Sequence, residues 1–79
     1  MRLDKYLKVT RLIKRRTVAN EACDAGRVMV NDRVAKASTD VKAGDIISIS
    51  FGNKDDKVEV LDVRETIHKE DVTTLYKYI

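Results

Sequence analysis

Apolar residues repeat at helical spacing up to Gly26 and at strand spacing after it, and that change of period leaves few folds open. Leu3, Tyr6 and Leu7 fall at i, i+3 and i+4, one face of a short helix. Asp4 lies in its first turn, where a carboxylate suits the helix dipole, and four residues before Lys8. Leu12 and Ile13 break the spacing and should cover the core from a turn. Val18, Ala19, Ala22 and Cys23 continue a helical stripe along a second helix, which Thr17 or the residue before it could cap. Gly26 stands where a helix ends on a left-handed residue.

Beyond Gly26, Val28-Met29-Val30 reads as a short strand, and Asn31-Asp32 as a tight turn because both residues tolerate positive φ. Ala43-Gly44-Asp45 is a second turn. Ile47, Ile49 and Phe51 alternate with Ser48 and Ser50, as in a half-buried strand. Gly52–Asp56 reads as a polar loop, and Val58 and Val60 then alternate with Lys57 and Glu59. Parity breaks at Leu61, so a bulge or the strand end falls there. A short helix over Lys69–Tyr78, packing Val72, Leu75 and Tyr76, is expected at the C-terminus. The fold class is α+β: two short N-terminal helices on a small antiparallel sheet.

The 79 residues contain no proline, no Gly/Ser linker and no repeat, so one domain is expected across 1–79. No segment approaches the ~20 apolar residues of a membrane span. Met1–Lys5 runs into alternating charge without the apolar stretch of a secretory signal. A cytoplasmic protein without a membrane partner is expected.

Charge is strongly segregated. Residues 1–36 hold ten Lys/Arg against four acids, while residues 37–79 hold six against nine. Such polarity suits a polyanion on one face, the competing reading being a solvated basic helix that binds nothing. Arg11, Lys14, Arg15 and Arg16 fall between the helices and at the start of the second. Arg2, Lys5 and Lys8 flank the apolar face of the first. Arginine forks suit phosphates and stack on bases. Lys36, Lys54 and Lys57 read as ordinary surface, in or near the acidic half.

Little else could carry chemistry. Cys23 lies on the stripe of Ala19 and Ala22, so a buried thiol acting as a small hydrophobe is expected. Cys23 and the single His68 cannot build a zinc site. Asp55-Asp56 and Glu70-Asp71 are sequence neighbours that do not face each other. The three glycines are isolated, so no phosphate loop exists. No enzyme, no cofactor and no metal are expected.

Four segments carry a family resemblance: Met1-Arg2-Leu3-Asp4-Lys5-Tyr6-Leu7; Arg16-Thr17 with Ala19; Gly26-Arg27-Val28 with Val30-Asn31; and Val41-Lys42-Ala43-Gly44-Asp45. Together they resemble the S4-type RNA-binding domain, also called the αL motif, over residues 1–51. Residues 52–79 would add a sheet extension and a C-terminal segment. Leu12-Ile13-Lys14-Arg15-Arg16-Thr17 is similar to the heat-shock protein fifteen-like branch, and within it to bacterial ribosome-quality-control factors. That resemblance implies a non-catalytic protein on the large ribosomal subunit. It would contact large-subunit ribosomal RNA and peptidyl-tRNA and support C-terminal alanine tailing by an RqcH-type factor on the same subunit. A monomer is expected.

By the same resemblance, Arg2, Asp4, Arg11, Lys14, Arg15 and Arg16 match RNA-facing positions. Asp4 would orient a neighbouring arginine or accept from a base or 2′-hydroxyl. Two departures stand out. Arg15 replaces a serine that would cap the second helix, and Asp32 replaces the glycine usual after Asn31. The alternatives are an accessory module of an RNA-modifying system and a DNA-binding helix-turn-helix protein. The first is disfavoured because Met1 begins the motif and no catalytic sequence follows. The second is disfavoured because helix two offers Asn20, Glu21 and Asp24 to a groove, two of them acidic.

Overall fold

The apolar triad Leu3, Tyr6 and Leu7 does form one face of a helix, α1 (Leu3–Val9), and all three side chains are fully buried. This is seen in a computed structural model, which describes residues 1–64 and 74–79. No side chain caps α1. Instead Leu3 and Asp4 donate their N–H groups to the carbonyls of Thr39 (2.8 Å) and Ala37 (3.1 Å), so a distant loop satisfies the helix start. At the other end Thr10 is buried and returns its hydroxyl to the Tyr6 carbonyl at 2.8 Å. Arg11 then takes φ 62°, a left-handed conformation that a non-glycine residue adopts at a cost. That turn brings Ile13 into the core and Leu12 against it, as their spacing predicted.

Helix α2 spans Arg16–Asp24 and buries Ala19 and Cys23. Two local expectations are corrected. Neither Thr17 nor Arg16 caps it; Arg15 is the N-cap and makes no side-chain bond to the helix. Val18 is 45% exposed, because the stripe that meets α1 runs through Ala19 and Cys23 and leaves Val18 on its margin. Burial, with the charges of Asp4 and Asp24 behind it, pushes the Cys23 thiol up to about 11. It is therefore a protonated, inert side chain at neutral pH, as expected.

Five strands follow: β1 (Val28–Val30), β2 (Arg33–Val34), β3 (Ile46–Phe51), β4 (Lys54–Val60) and β5 (Tyr76–Tyr78). They form one antiparallel sheet in the order β2-β1-β3-β4-β5. Asn31 (φ 53°) and Asp32 (φ 66°) form the two-residue turn between β1 and β2, so aspartate adopts here the conformation glycine would take freely. Ile47, Ile49, Val58 and Val60 point into the core from β3 and β4, and β4 stops at Val60, where parity breaks.

The polar loop expected over Gly52–Asp56 is shorter than that. Only Gly52 and Asn53 turn, and Lys54 already pairs with Phe51. Strand ends in solvent need no apolar residue, so their polarity hid the pairing of Asp55 with Ser50 and Asp56 with Ile49. The C-terminal helix is also corrected where the structure describes it. Tyr76–Tyr78 is strand β5, with Tyr76 opposite Val60 and Tyr78 opposite Val58. The open edge of β4 supplies partners, and Tyr-Lys-Tyr alternates with period two. Leu75, just before β5, is fully buried, so that part of the expected packing stands; residues 69–73 of the expected helix, Val72 included, and His68 with Glu70-Asp71 lie outside the described residues.

Tyr6 ties α1 to this last strand. Its hydroxyl donates to the Leu75 carbonyl at 2.7 Å in a fully buried contact. Leu61 and Asp62 donate their N–H groups to the same oxygen. Tyr6→Phe should therefore cost about 1 kcal/mol, the net worth of one hydrogen bond, since the carbonyl keeps two donors. Thermal melting should register it as a fall of about 4–8 °C. An unchanged melting point would show that the hydroxyl does not hold the C-terminal segment.

Candidate nucleic-acid interface

Asp4 sits one residue after Leu3 and three before Leu7, so helical geometry turns it toward the seam between α1 and α2. Its carboxylate is 1% exposed. Charge this deeply buried persists only when it is paired. Arg2 reaches it as a fork, Nε to Oδ1 at 3.3 Å and Nη2 to Oδ2 at 3.4 Å. Arg16 donates Nε to Oδ2 at 3.3 Å, and Asn20 donates Nδ2 to the same oxygen at 3.4 Å. The Lys5 backbone N–H completes the set at 2.8 Å on Oδ1. Burial pushes this carboxyl up. The Arg16 hydrogen bond, the Lys5 N–H and the charges of Arg16 and Arg2 outweigh it and hold the group below its ordinary value. Asp4 is thus an ionised hub whose oxygens are spent on the protein. Of the two roles open to it, the geometry fits orientation of its arginines.

Arg2 precedes α1 and Arg16 begins α2, and both side chains remain about half exposed, at 51% and 47%. Each gives Asp4 part of its guanidinium and turns the rest to solvent. The hub therefore presents two arginine forks side by side at a set spacing, with their rotamer freedom already restricted. Preorganisation of this kind lowers the entropy lost when a ligand is bound.

The other candidates surround this pair. Lys8 lies in the last turn of α1 and Lys5 one turn before it; Lys8 is exposed and Lys5 partly so. Arg11, Lys14 and Arg15 are exposed in the connection between the helices. Among the described residues, Lys8, Arg11, Lys14 and Arg15 make no ion pair, so the structure brings none of them into the hub. The acidic half behaves differently. Lys54 pairs with Asp56 at 3.9 Å, Lys57 with Asp32 at 4.0 Å, Lys77 with Glu59 at 3.7 Å and Arg64 with Asp62 at 2.8 Å. These four cations are neutralised locally, whereas Lys8, Arg11, Lys14 and Arg15 are not.

The sequence reading missed Asn20 and Arg27. Asn20, considered only as a groove reader in the disfavoured helix-turn-helix alternative, turns inward and bonds Asp4. Its spacing four residues after Arg16 puts both on one helix face, a signal that would have found it. Arg27 is exposed at the foot of α2 and shares a cleft with Ile13, Val18, Glu21, Ala22, Ala25 and Ser50. No helix among the described residues is long and apolar enough to cross a membrane.

Comparison with known proteins points to one family. An S4 domain family model matches residues 1–47. A protein of Halalkalibacterium halodurans named RQC P-site tRNA stabilizing factor is 58% identical over 77 residues, covering 98% of this chain and 88% of that protein. The protein of the same name from Streptococcus pneumoniae is 54% identical over 79 residues, covering 100% of this chain and 90% of its own length. Among solved structures, trimeric heat shock protein 15 from Vibrio cholerae superposes with a TM-score of 0.91 at 26% identity, over 100% of this chain and 81% of the other.

Proposed function

The chain belongs to the S4 domain family, alongside the RQC P-site tRNA stabilizing factors, and from that membership we propose that it holds peptidyl-tRNA on the large ribosomal subunit. The observation that carries this reading is the pair of arginine forks, Arg2 and Arg16, set by one buried carboxylate, with Lys8, Arg11, Lys14 and Arg15 near them making no ion pair among the described residues. Two forks at fixed spacing match two phosphates along a folded RNA backbone. Lys5, Lys8, Arg11, Lys14 and Arg15 extend the contact on either side, so that large-subunit ribosomal RNA and the tRNA are both within reach of one basic face. The names of the relatives support the P-site tRNA as the second ligand.

In this role the protein is a non-catalytic, cytoplasmic monomer of one domain. It steadies the tRNA while an RqcH-type factor on the same subunit adds alanines to the stalled chain. It needs no cofactor, because binding and positioning are all the role requires.

Sedimentation through a density gradient tests it. The protein should travel with large subunits that carry peptidyl-tRNA, and not with small subunits or intact ribosomes. With about four to six phosphates engaged, the logarithm of affinity should fall with the logarithm of salt at a slope of roughly −3 to −5. An even spread across all fractions, or a slope near zero, would mean that the basic face is only solvated surface.

A further inference from the structure

Beside the basic connection lies a cleft of about 260 Å³ lined by Ile13, Val18, Glu21, Ala22, Ala25, Arg27 and Ser50. Ile13 and Val18 bracket Lys14–Thr17, so the cleft opens next to the phosphate-binding cations. Ile13, Val18, Ala22 and Ala25 give it an apolar part. Two opposite charges, Glu21 and Arg27, line it, yet among the described residues they form no ion pair with each other or with anything else. Two exposed, opposite charges facing one concavity without closing on each other leave both available to a ligand. The half-exposed Val18 and the partly buried Ala22 are apolar residues of α2 that line this cleft.

We propose that this cleft takes an unstacked nucleobase with an amino edge from the RNA held on the neighbouring basic face. The proposal rests on the RNA-binding reading above and adds a base preference to it. A planar guanidinium lining a cleft with apolar side chains offers a stacking surface, as used in single-stranded RNA recognition. The Glu21 carboxylate accepts hydrogen bonds and donates none, so it favours a base edge rich in N–H donors. Guanine offers its N1–H and exocyclic amino group side by side to such a carboxylate, whereas uracil offers a single N–H between two carbonyls that the carboxylate repels. The Ser50 hydroxyl can serve either remaining edge. The RNA backbone runs on the Lys14 and Arg15 side, away from Glu21.

The test compares two single-stranded RNA probes by fluorescence anisotropy at low salt: hexauridylate, and the same hexamer with one central guanosine. The intact protein should prefer the guanosine probe about tenfold, in the range of one good base contact. Glu21→Gln should bring the ratio close to one without weakening hexauridylate binding. Ala25→Leu fills the cleft from an exposed position without altering charge, and should do the same. Arg16→Ala should weaken both probes alike and keep their ratio, which separates the cleft from the phosphate contacts. Equal affinity of the intact protein for both probes, or a preference that survives both cleft variants, overturns the cleft and leaves the RNA-binding reading standing. If the intact protein binds neither probe, the cleft proposal falls, and sedimentation with large subunits still decides the RNA-binding reading.

Discussion

Asp4→Ala should weaken binding to large ribosomal subunits by about a hundredfold or more, the combined effect of releasing two charge-assisted contacts. Simple electrostatics points the other way. The substitution removes a negative charge from the basic face and raises the net charge of +3 by one, which should tighten binding to a polyanion. The two arguments differ in sign, so the measurement decides between them. Positioning should win because Asp4 is buried and ligated by five donors, which leaves it little direct field at the surface, while its loss frees both arginine forks. The fold should survive, destabilised by about 1–3 kcal/mol, since Arg2 and Arg16 are half exposed and can return to water. Circular dichroism melting checks that point. The pH dependence has a definite sign as well. The carboxyl sits below its ordinary 3.8 in the folded state, so its stabilisation is fully present above that value and is lost as pH falls through the lower, folded one. Stability and binding should therefore show no Asp4 transition between pH 5 and 8. Tighter subunit binding by a folded Asp4→Ala protein would dismiss the positioning role.

Arg16→Ala should weaken subunit binding by about ten- to a hundredfold, the loss of one charge-assisted contact at ~1.4 kcal/mol per decade. Arg16→Lys should recover only a small part, because an ammonium cannot bond Asp4 and a phosphate in one plane as a guanidinium does. Arg16→Glu should be worse than alanine, since it adds repulsion from phosphate. None of the three should unfold the domain: the side chain lies off the buried stripe of Ala19 and Cys23, and Asp4 keeps Arg2, Asn20 and the Lys5 N–H. Lys54→Ala and Lys57→Ala are the controls. Both lysines already face acids, Asp56 and Asp32, and should bind nearly as the unaltered protein does. Binding that depends on Lys54 and Lys57 and ignores Arg16 would place the RNA on the opposite side of the molecule.

Much of the architecture follows from local rules. Leu3, Tyr6 and Leu7 mark α1 by spacing alone, Ile47 and Ile49 mark β3, and the strand end at Leu61 follows from a break in parity. Asn31-Asp32 turns because both residues accept positive φ. Such features depend on residues within a few positions of one another, so the chain displays them openly. β5 does not, because its pairing is set by the exposed edge of β4 and a carbonyl met by Tyr6 across 69 positions. Propensity at Tyr76–Tyr78 is too weak to choose helix or strand without that partner.

The site divides along the same line. Segregation of ten basic residues into the first 36 positions is a property of the sequence, and it points to a polyanion before any fold is known. Which cations are held, which are neutralised and which stay unpaired is a property of packing. Arg16 and Asp4 are twelve positions apart, and they meet only because the turn at Arg11 lays α2 against α1. Helical periodicity assigns a residue to a face; it does not say what that face will press against. The sequence therefore determined the charge and the two helices that bear it. The tertiary structure alone decided that a buried carboxylate would stand between them, because burying that charge is tolerable only where donors from both helices converge.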